Sequence, residues 1–434
     1  MNNKEQSVPR DMTNDCSLGG ICGGCFYCGK KCSEQLLEKD KRVRSLLEGA
    51  CSYGFEYQEI IESPLIFAYR NKMEYSFGDC MKDGPLTLGL HRKKSFYDVI
   101  DVDCCLLVHE DCNRVVRAAA EYFRRLGVTY KDKKSHNGYL RYLIIRRAVN
   151  TGEMLIDLVT TTQKPVKVKK HSDIYAQDLY NEDGSLNEAY EASYVDEKEL
   201  LSGFRDCLTE LSDRGELEGS IKGILHTVND SKADAVKNEG TSVLYGVDHI
   251  SEELLGLKFD ISPFSFFQTN SKGAEVLYSK VREFIIDELD KDMTVYDLYS
   301  GTGTIAQILA PCVGHVTGVE IVEEAVEAAR ENAEKNGLSN CDFIAGDVLK
   351  VLDELPAPDV IVLDPPRDGV NPKALKKIIA YGVKNMIYVS CKPESLARDL
   401  VVLNDAGYRL IKAVAVDQFP WTNNVETVAL ITKQ

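Results

Sequence analysis

The spacing of hydrophobic residues divides the chain into segments with different periods. Residues 1–15 are polar and aperiodic and predict a flexible tail, and residues 16–35 are dominated by cysteine and glycine. Short β-branched and aromatic runs between turn residues predict a β-rich α+β domain over 36–260, interrupted near 171–218 by an acidic surface insertion with some helix. From 261 to 434 strand-length and helix-length patterns alternate, which predicts an α/β domain built on a doubly wound, Rossmann-like sheet.

The composition is that of an ordinary globular protein, with 44% hydrophobic and 28% charged residues among 434. No apolar run approaches the ~18 residues that a membrane span requires, and the start lacks a signal-peptide pattern, so we expect a cytoplasmic protein that binds no membrane. The net charge of −16 at first argues against a nucleic-acid partner. However, residues 1–170 carry 28 Lys and Arg against 22 Asp and Glu, so this part remains a candidate for contact with phosphates.

Several predicted strands of the β-rich domain combine basic with aromatic residues. Examples are Tyr69–Lys72, His91–Lys94 and Arg141–Arg147. Cations that bind phosphates, together with rings that stack on bases, are typical of RNA-contacting sheets. The alternative is a solvated strand face, and the pattern alone leaves both interpretations open.

A cysteine lies where one predicted strand of the α/β domain ends. The strand-like run Met386–Val389 leads to Ser390 and Cys391, and Pro393 lies where the first turn of a helix tolerates proline. In an open α/β sheet the reactive crevice lies outside the carboxyl ends of the strands, and a helix N-terminus stabilises a thiolate. Cys391 is therefore a candidate nucleophile, with a buried structural cysteine as the alternative.

A glycine turn indicates a nucleotide-like cofactor. The turn Ser300–Ala306 follows a strand and opens a helix, and Glu320 ends the next strand, where an acid can bind a ribose. This arrangement suits NAD and S-adenosylmethionine equally. The motif Asp364-Pro-Pro and the strand-end Cys391 are explained by methyl transfer and not by hydride transfer, so they favour S-adenosylmethionine.

The N-terminal cysteines predict a metal site. Five cysteines lie within Cys16–Cys32, and Cys104 with Cys105 follows a strand-like run that can return to them. Thiolates at this density, in a reducing compartment, bind zinc or an iron–sulfur cluster. The spacing alone does not choose the metal.

In combination these motifs resemble the bacterial uracil-C5 RNA methyltransferases, which are class I enzymes that use S-adenosylmethionine. The resemblance covers nearly the whole chain outside 171–218. The matching segments are Cys16–Cys25, Tyr69–Lys72, Phe266–Asn270, Asp297–Gly303, Asp364–Gly369, Ser390–Pro393 and Phe419–Val428. An amino-methyltransferase typically has an aromatic residue after Asp/Asn-Pro-Pro, whereas this chain has Arg367.

The resemblance implies roles for individual residues. Cys391 is implied as the nucleophile that adds to C6 of uracil, and Glu426 as the base that removes the C5 proton. The implied contacts with S-adenosylmethionine are Gln268, Tyr299, Glu320, Asp347 and Asp364. The implied metal group is a [4Fe-4S] cluster, with the ligands Cys16, Cys22, Cys25 and Cys104. Cys28 and Cys32 are extra to that pattern.

The resemblance also implies the substrate. We expect methyl transfer to C5 of a uridine in 23S ribosomal RNA, because an iron–sulfur segment favours the ribosomal members of the family. The alternatives are a transfer-RNA uridine C5-methyltransferase, an NAD-dependent oxidoreductase and a non-catalytic iron–sulfur RNA-binding protein. Neither of the last two explains Cys391 together with Glu426. RNA is the expected partner, and no obligate protein partner is implied.

Overall fold

The computed structural model describes residues 11–81, 84–169, 179–181, 185–288 and 292–434. The first ten residues of the predicted tail, and part of the predicted insertion, lie outside the described residues. None of the described helices is long and apolar enough to cross a membrane.

Strands predominate in the described residues before 262, and strands and helices alternate from 271 to 416. The strands are β1 (Glu56–Ile61), β2 (Lys72–Gly78), β3 (Thr87–His91), β4 (Val99–Asp101), β5 (Leu140–Arg147), β6 (Glu153–Thr160), β7 (Val166–Val168), β8 (Ala192–Tyr194), β9 (Ser220–Val228), β10 (Thr241–Gly246), β11 (Ile250–Leu254), β12 (Leu257–Ile261), β13 (Thr294–Leu298), β14 (His315–Glu320), β15 (Cys341–Ala345), β16 (Val360–Leu363), β17 (Asn385–Ser390), β18 (Tyr408–Val416) and β19 (Glu426–Lys433). The helices are α1 (Cys32–Ala50), α2 (Glu110–Leu126), α3 (Glu197–Asp213), α4 (Ser271–Glu288), α5 (Thr304–Leu309), α6 (Glu323–Lys335), α7 (Val348–Val351), α8 (Pro372–Tyr381) and α9 (Pro393–Asp405).

Eight strands form the C-terminal sheet, in the order β1-β18-β19-β17-β16-β13-β14-β15. The strands β15, β14, β13, β16 and β17 pair in parallel, whereas β19 is antiparallel to both of its neighbours. All four residues of β16 are buried, as expected for a central parallel strand covered on both faces. The predicted α/β architecture with a Rossmann-like domain is confirmed. The strand order reverses at β13, between β14 and β16, and ligands of such sheets bind outside the carboxyl ends at this point.

A second sheet of seven strands is formed within residues 72–246, in the order β10-β9-β6-β5-β2-β3-β4. Its pairs are antiparallel except β6 with β9. Two-stranded ribbons, β7–β8 and β11–β12, accompany it. The helices α2 and α3 pack together through Phe123 and Phe204, whose ring centroids are 5.4 Å apart, and both rings belong to the core of this sheet.

The segment around residues 32–61 differs from the predicted division of the chain. We expected it within a central domain over 36–260, but β1 pairs in parallel with β18 at the edge of the C-terminal sheet. The preceding helix α1 packs on the same body, and Asn404 of α9 donates to the carbonyl of Ala50, 2.9 Å away. The hydrophobic pattern shows that β1 is a strand, but the choice of its partner depends on a residue about 350 positions later.

The predicted acidic insertion also contributes to a core. Its helix α3 buries Leu200, Phe204, Leu208 and Leu211, which follow one face at helical spacing. Asp196 caps the helix by accepting from the backbone N–H of Glu199 at 2.9 Å. The high density of Asp and Glu therefore reflects one exposed face of an amphipathic helix, and a surface insertion does not describe this part of the segment.

Candidate active site

Strand ends bring Cys391, Glu426 and Asp364 to one edge of the C-terminal sheet. In the antiparallel pair β17–β19, Ser390 lies opposite Thr427, so the next residues outward are Cys391 and Glu426. The parallel register of β16 on β17 places Asp364, the first residue after β16, at the same edge. The carboxyls of Asp364 and Glu426 lie near enough to Cys391 to raise the pKa of its thiol. We call these three residues the reaction edge.

The Cys391 thiol is half-buried, and its pKa is raised to about 11. Burial is the largest cause, the carboxyls of Glu426 and Asp364 act in the same direction, and Arg367 opposes them. The sequence predicted a thiolate stabilised by the N-terminus of α9. For the resting protein that prediction is wrong, because the neighbouring strand brings a buried carboxyl to the sulfur and lost solvation outweighs the helix dipole.

The two carboxyls of the reaction edge hold their protons more tightly than ordinary side chains. Burial raises the pKa of Glu426 to about 8, with Asp364 adding to the effect and Arg367 opposing it. Burial raises the pKa of Asp364 to about 7. Ionising both costs free energy in this site, since each carboxylate loses water and faces the other. A positive charge bound at the reaction edge would therefore stabilise the ionised carboxylates.

Two polar groups behind the reaction edge complete this environment. Asp297 at the end of β13 accepts from the backbone N–H of Ala306 at 3.0 Å, and its other oxygen has no hydrogen-bond partner among the described residues. Burial, followed by the Asp364 carboxyl, raises its pKa well above the usual range. The buried hydroxyl of Tyr278 in α4 interacts with Gln268 and faces Asp364 and Glu426.

The glycine turn lies at the carboxyl ends of β13 and β14. Gly303 has φ +71°, and a Cβ there would lie 2.3 Å from the ring of Phe343, so a side chain is excluded. Gly301 has φ +54°, and a Cβ there would find only the Phe266 ring, at 3.9 Å. Its N–H donates to Glu320 at 3.0 Å, which fixes the predicted ribose-binding carboxylate against the turn.

The remaining predicted cofactor contacts fall into two places. Asp347 caps α7 by accepting from the N–H of Leu349 at 2.9 Å and lines a cavity of about 520 Å³ that includes Ile321. Tyr299 lies near Asp347. Burial raises the pKa of the Tyr299 hydroxyl to about 12, and the Asp347 charge adds to this effect. Gln268 lies apart from them, beside Tyr278. The structure thus groups Tyr299, Asp347 and the Glu320 strand end at one side of the turn, and Gln268 with the reaction edge.

Helix α1 holds the loop that leads to Glu426. We call residues 417–425, between β18 and β19, the base loop. The Lys39 ammonium lies 2.6 Å from the Asp417 carboxylate, and their side chains are 0% and 1% exposed. Gln35 accepts from the N–H of Trp421 at 2.7 Å, and Arg42 donates to the side-chain oxygen of Asn423 at 2.6 Å. These contacts, which include a fully buried ion pair, fix the backbone of the base loop.

The Cys-rich segment holds the same loop. The backbone N–H groups of Phe26 and Tyr27, directly after Cys25, both donate to the carbonyl of Trp421, at 2.8 and 3.0 Å. The Trp421 indole is fully buried and donates to the carbonyl of Ile66 at 2.7 Å. With φ +67°, Trp421 adopts a left-handed conformation that is strained for a bulky residue, so these contacts stabilise an otherwise unfavourable turn.

The N-terminal thiols share one neighbourhood. Burial raises the pKa of Cys16 and of Cys22, and the nearby thiols of Cys28 and Cys104 raise both pKa values further. Together, Cys16, Cys22, Cys25 and Cys28 line a cavity of about 710 Å³. Among the described residues, no three His, Cys, Asp or Glu side chains are arranged to hold one metal ion. Buried Cys32 lies elsewhere, beside Gln35 at 3.6 Å.

Comparison with known proteins assigns the chain to a family. A family profile for a methyltransferase domain matches residues 289–428. An uncharacterized RNA methyltransferase of Caldanaerobacter subterraneus subsp. tengcongensis is 46% identical over 426 residues, or 98% of this chain and 86% of the relative. Another, of Clostridium acetobutylicum, is 44% identical over 99% of this chain and 86% of the relative.

A solved structure is also similar to most of this chain. The Pyrococcus abyssi tRNA (uracil-54, C5)-methyltransferase, in complex with S-adenosyl-L-homocysteine, is similar over 92% of this chain and 83% of that protein, with a TM-score of 0.67 and 26% identity. The chain belongs to the RNA methyltransferases. The predictions of an RNA methyltransferase and of S-adenosylmethionine as its cofactor are confirmed. The RNA substrate, the roles of individual residues and the iron–sulfur cluster stay predictions.

Sequence reasoning missed several residues of this RNA methyltransferase. Arg367 acts on the pKa of both Cys391 and Glu426, and its position directly after Asp364-Pro-Pro was an available signal. Tyr278 gave no signal, because a tyrosine within the helical pattern of α4 resembles an ordinary core residue. Trp421 belongs to a matched motif, but its role in the base loop depends on contacts with residues far away in sequence.

Proposed function

We propose that this enzyme transfers a methyl group from S-adenosylmethionine to C5 of a uridine in RNA, through a covalent bond between Cys391 and C6 of the base. The register of β17 on β19 carries the proposal, because it places the Cys391 thiol beside the Glu426 carboxyl at the carboxyl end of the sheet. Uracil C5 is a weak nucleophile, and a thiol that adds to C6 activates it. A buried carboxyl at the same edge suits the later removal of the C5 proton.

The proposed reaction balances at these two side chains. The Cys391 thiol loses its proton to solvent, its sulfur forms a bond to C6, and the C5–C6 π electron pair moves toward the O4 carbonyl as an enolate. S-adenosylmethionine supplies a methyl group on a positively charged sulfur, and C5 takes this group as the carbon–sulfur bond breaks. Glu426 then accepts the C5 proton, the C5–C6 double bond forms again, and the Cys391 thiolate leaves.

The raised pKa values link the protonation states of the reaction edge to cofactor binding. In the resting protein Glu426 and Cys391 hold protons near neutral pH, since their pKa values are about 8 and about 11. A positive charge at the edge lowers the pKa of a nearby carboxyl or thiol. Binding of a cationic cofactor beside Asp364 therefore favours the ionised forms of both groups. The chemistry is thus linked to occupation of the cofactor site.

The cofactor proposal distributes the predicted contacts over the glycine turn. Glu320 takes the ribose hydroxyls, while Tyr299 and Asp347 flank the adenine at the neighbouring cavity of about 520 Å³. Gln268 and Asp364 lie at the end that holds the methionine part and the methyl group. The space above Gly301 supports this arrangement, because only the Phe266 ring lies within 4 Å of where a Cβ would be.

An iron–sulfur cluster at the Cys-rich segment remains part of the proposal. Cys16, Cys22 and Cys25 line one cavity of about 710 Å³, and the ligands of an iron–sulfur cluster bind separate irons. The expected ligands are Cys16, Cys22, Cys25 and Cys104, and Cys28 is an alternative because it perturbs both Cys16 and Cys22. Anaerobically purified protein should absorb broadly near ~400 nm. Stoichiometric zinc without iron and sulfide would contradict it.

The RNA class is tested by the reaction product. We expect 23S ribosomal RNA, and the similarity to a tRNA (uracil-54, C5)-methyltransferase supports transfer RNA as the second candidate. Mass mapping of 5-methyluridine in ribosomal and transfer RNA, from cells with and without the gene, separates them. Loss of the modification at a uridine of one RNA class identifies the substrate. Unchanged 5-methyluridine in both classes would contradict the proposed function.

A further inference from the structure

Two aromatic rings are exposed at the tip of the β3–β4 hairpin. Phe96 is 61% exposed and Tyr97 is 55% exposed, and both lie in the hairpin loop of residues 92–98. Their rings meet edge to face, with centroids 5.6 Å apart and an angle of 88° between the planes. Adjacent exposed rings of this kind mark a binding surface. We call Phe96 and Tyr97 the hairpin platform.

The hairpin platform is ordered without being buried. The backbone N–H of Arg92 donates to the carbonyl of Asp98 at 2.9 Å and closes the loop. Within it, the Ser95 hydroxyl accepts from the N–H groups of Tyr97 and Asp98, at 3.3 and 3.1 Å. The Lys133 ammonium donates to the Phe96 carbonyl at 2.7 Å. Because the loop is fixed in advance, a ligand that stacks on the rings loses less conformational entropy.

Positive charge surrounds the rings. The Lys133 ammonium lies 4.3 Å from the Phe96 ring centre, and the Lys134 ammonium lies 5.5 Å from that of Tyr97. Asp234 pairs with Lys133 at 2.7 Å, so this lysine mainly stiffens the platform. Exposed cations remain at Lys134 and on the loop itself, at Lys93 and Lys94. Cations around exposed rings complement a polyanion whose bases are accessible.

The hairpin also borders a cavity beside the base loop. Lys93 and Leu90 line the cavity of about 710 Å³, and its lining also includes Asn423 and Asn424 of the base loop. Asn424 in turn accepts from Arg367 at 2.8 Å. This cavity therefore extends from the β3–β4 hairpin to residues of the base loop.

We propose that the hairpin platform binds unpaired nucleotides of the RNA next to the target uridine, with bases stacked on Phe96 and Tyr97 and phosphates on Lys93, Lys94 and Lys134. This inference rests on the proposed function. Ring faces reach only bases that are not inside a duplex, so the ligand is a single-stranded or looped segment. The surrounding lysines favour such a polyanion over a protein partner.

A tryptophan substituted into the platform reports stacking directly. The natural chain has one tryptophan, and Trp421 is fully buried, so Phe96→Trp adds the accessible fluorophore. The probe is an unstructured RNA of about 12 nucleotides, within the usual site sizes of single-strand binders. We expect it to quench Phe96→Trp more strongly than a duplex of the same sequence does.

Tyr194→Trp is the matched control. Tyr194 is also exposed, at 45%, and the Lys164 ammonium lies 5.5 Å from its ring centre, but it is on β8 outside the hairpin. Its substitution should show little quenching. Equal quenching of both variants, no quenching of Phe96→Trp, or quenching by duplex as strong as by single strand would overturn the inference.

A double substitution connects stacking with activity. Phe96→Ala with Tyr97→Ala should raise the Kd for the single-stranded probe at least about 10-fold and raise KM for RNA with little change in kcat. Phe96→Tyr with Tyr97→Phe keeps both rings and should restore binding. If wild type methylates RNA and the double alanine variant has the same KM, the platform inference fails. If wild type methylates no RNA, the proposed function fails, and the fluorescence experiment still decides whether the platform binds RNA.

Discussion

Two aspartates, one in each half of the molecule, have opposite electrostatic environments. Asp111, in the first turn of α2, accepts from the N–H groups of Glu218 and Gly219 at 2.9 and 3.0 Å and from Arg147 at 2.9 Å. Burial alone would raise its pKa, but these donors outweigh burial and lower it. Asp364, at the reaction edge, lacks such compensation, and burial raises its pKa to about 7.

The difference separates a structural carboxylate from a reactive site. Asp111 is ionised and satisfied within the folded protein, so its interactions stabilise the central region. Burial raises the pKa of Asp364, Glu426 and Asp297, and the Asp364 carboxyl raises the pKa of the other two further. Such an edge costs stability and gains affinity for a cationic cofactor. Substitutions at the two places should therefore differ in what they change, and in the sign of their pH dependence.

The largest expected effect is loss of the nucleophile. Cys391→Ala should reduce methyl transfer by at least about 10⁴-fold and form no covalent RNA complex, because Cys391 carries the thiol of the reaction edge. Its thermal stability should change little, since the site is not optimised for stability. Methyl incorporation from labelled S-adenosylmethionine into RNA measures the loss. Cys312→Ser, at a half-buried cysteine after α5, is the control and should keep wild-type activity. Substantial turnover by Cys391→Ala would exclude the covalent mechanism.

The next effect separates the base from the nucleophile. Glu426→Gln retains size and hydrogen bonding but cannot accept the C5 proton, so turnover should fall about 10²–10⁴-fold. The methylated adduct should then accumulate as a protein–RNA band that survives denaturing electrophoresis and carries the methyl label. Adding Cys391→Ala to the same chain should abolish the band. If Glu426→Gln instead turns over rapidly without a trapped band, another group removes the proton.

The sequence predicted the parts of this site that are local in the chain. Cys391 before Pro393 and Gly301 in its turn could be placed because a strand end, a helix start and a tight turn each depend on a few consecutive residues. The raised pKa of Cys391 could not be predicted, since it depends on the register of β17 on β19. The buried Lys39–Asp417 pair joins residues 378 positions apart, and neither residue has a motif that names its partner.

A structural substitution provides the opposite result to the catalytic ones. Asp111→Asn keeps the volume but removes the charge that Arg147 and two backbone N–H groups require, so unfolding free energy should fall by about 2–4 kcal/mol. Urea denaturation at pH 7 measures it. Glu210→Gln, which removes an exposed pair with Arg214, should stay within about 0.5 kcal/mol of wild type. A loss at Asp111→Asn as small as in this control would mean that the Asp111 contacts contribute no net stability.

The smallest expected effect is the pH dependence of the free energy of unfolding that Asp364 causes. Its sign is opposite to the one expected for Asp111. The folded-state pKa of Asp364, about 7, exceeds the ordinary value of 3.8. The folded protein therefore binds the proton more tightly than the unfolded chain, and stability falls as the pH rises from about 4 to about 7. Asp364→Asn removes this ionisation, so the variant should gain about 1–3 kcal/mol over wild type at pH 8 and little at pH 4.

Asp111→Asn should show the reverse trend. Because the folded-state pKa of Asp111 is lowered, its stabilisation is present above the unfolded pKa and is lost as the pH falls. The penalty of Asp111→Asn should therefore shrink in acid, while the advantage of Asp364→Asn grows in base. Urea denaturation of both variants and wild type at pH 3, 4, 6 and 8 tests both trends, because the Asp111 contribution is lost only below the ordinary pKa of 3.8. Parallel pH profiles for the two variants would show that the two aspartates do not differ as their surroundings indicate.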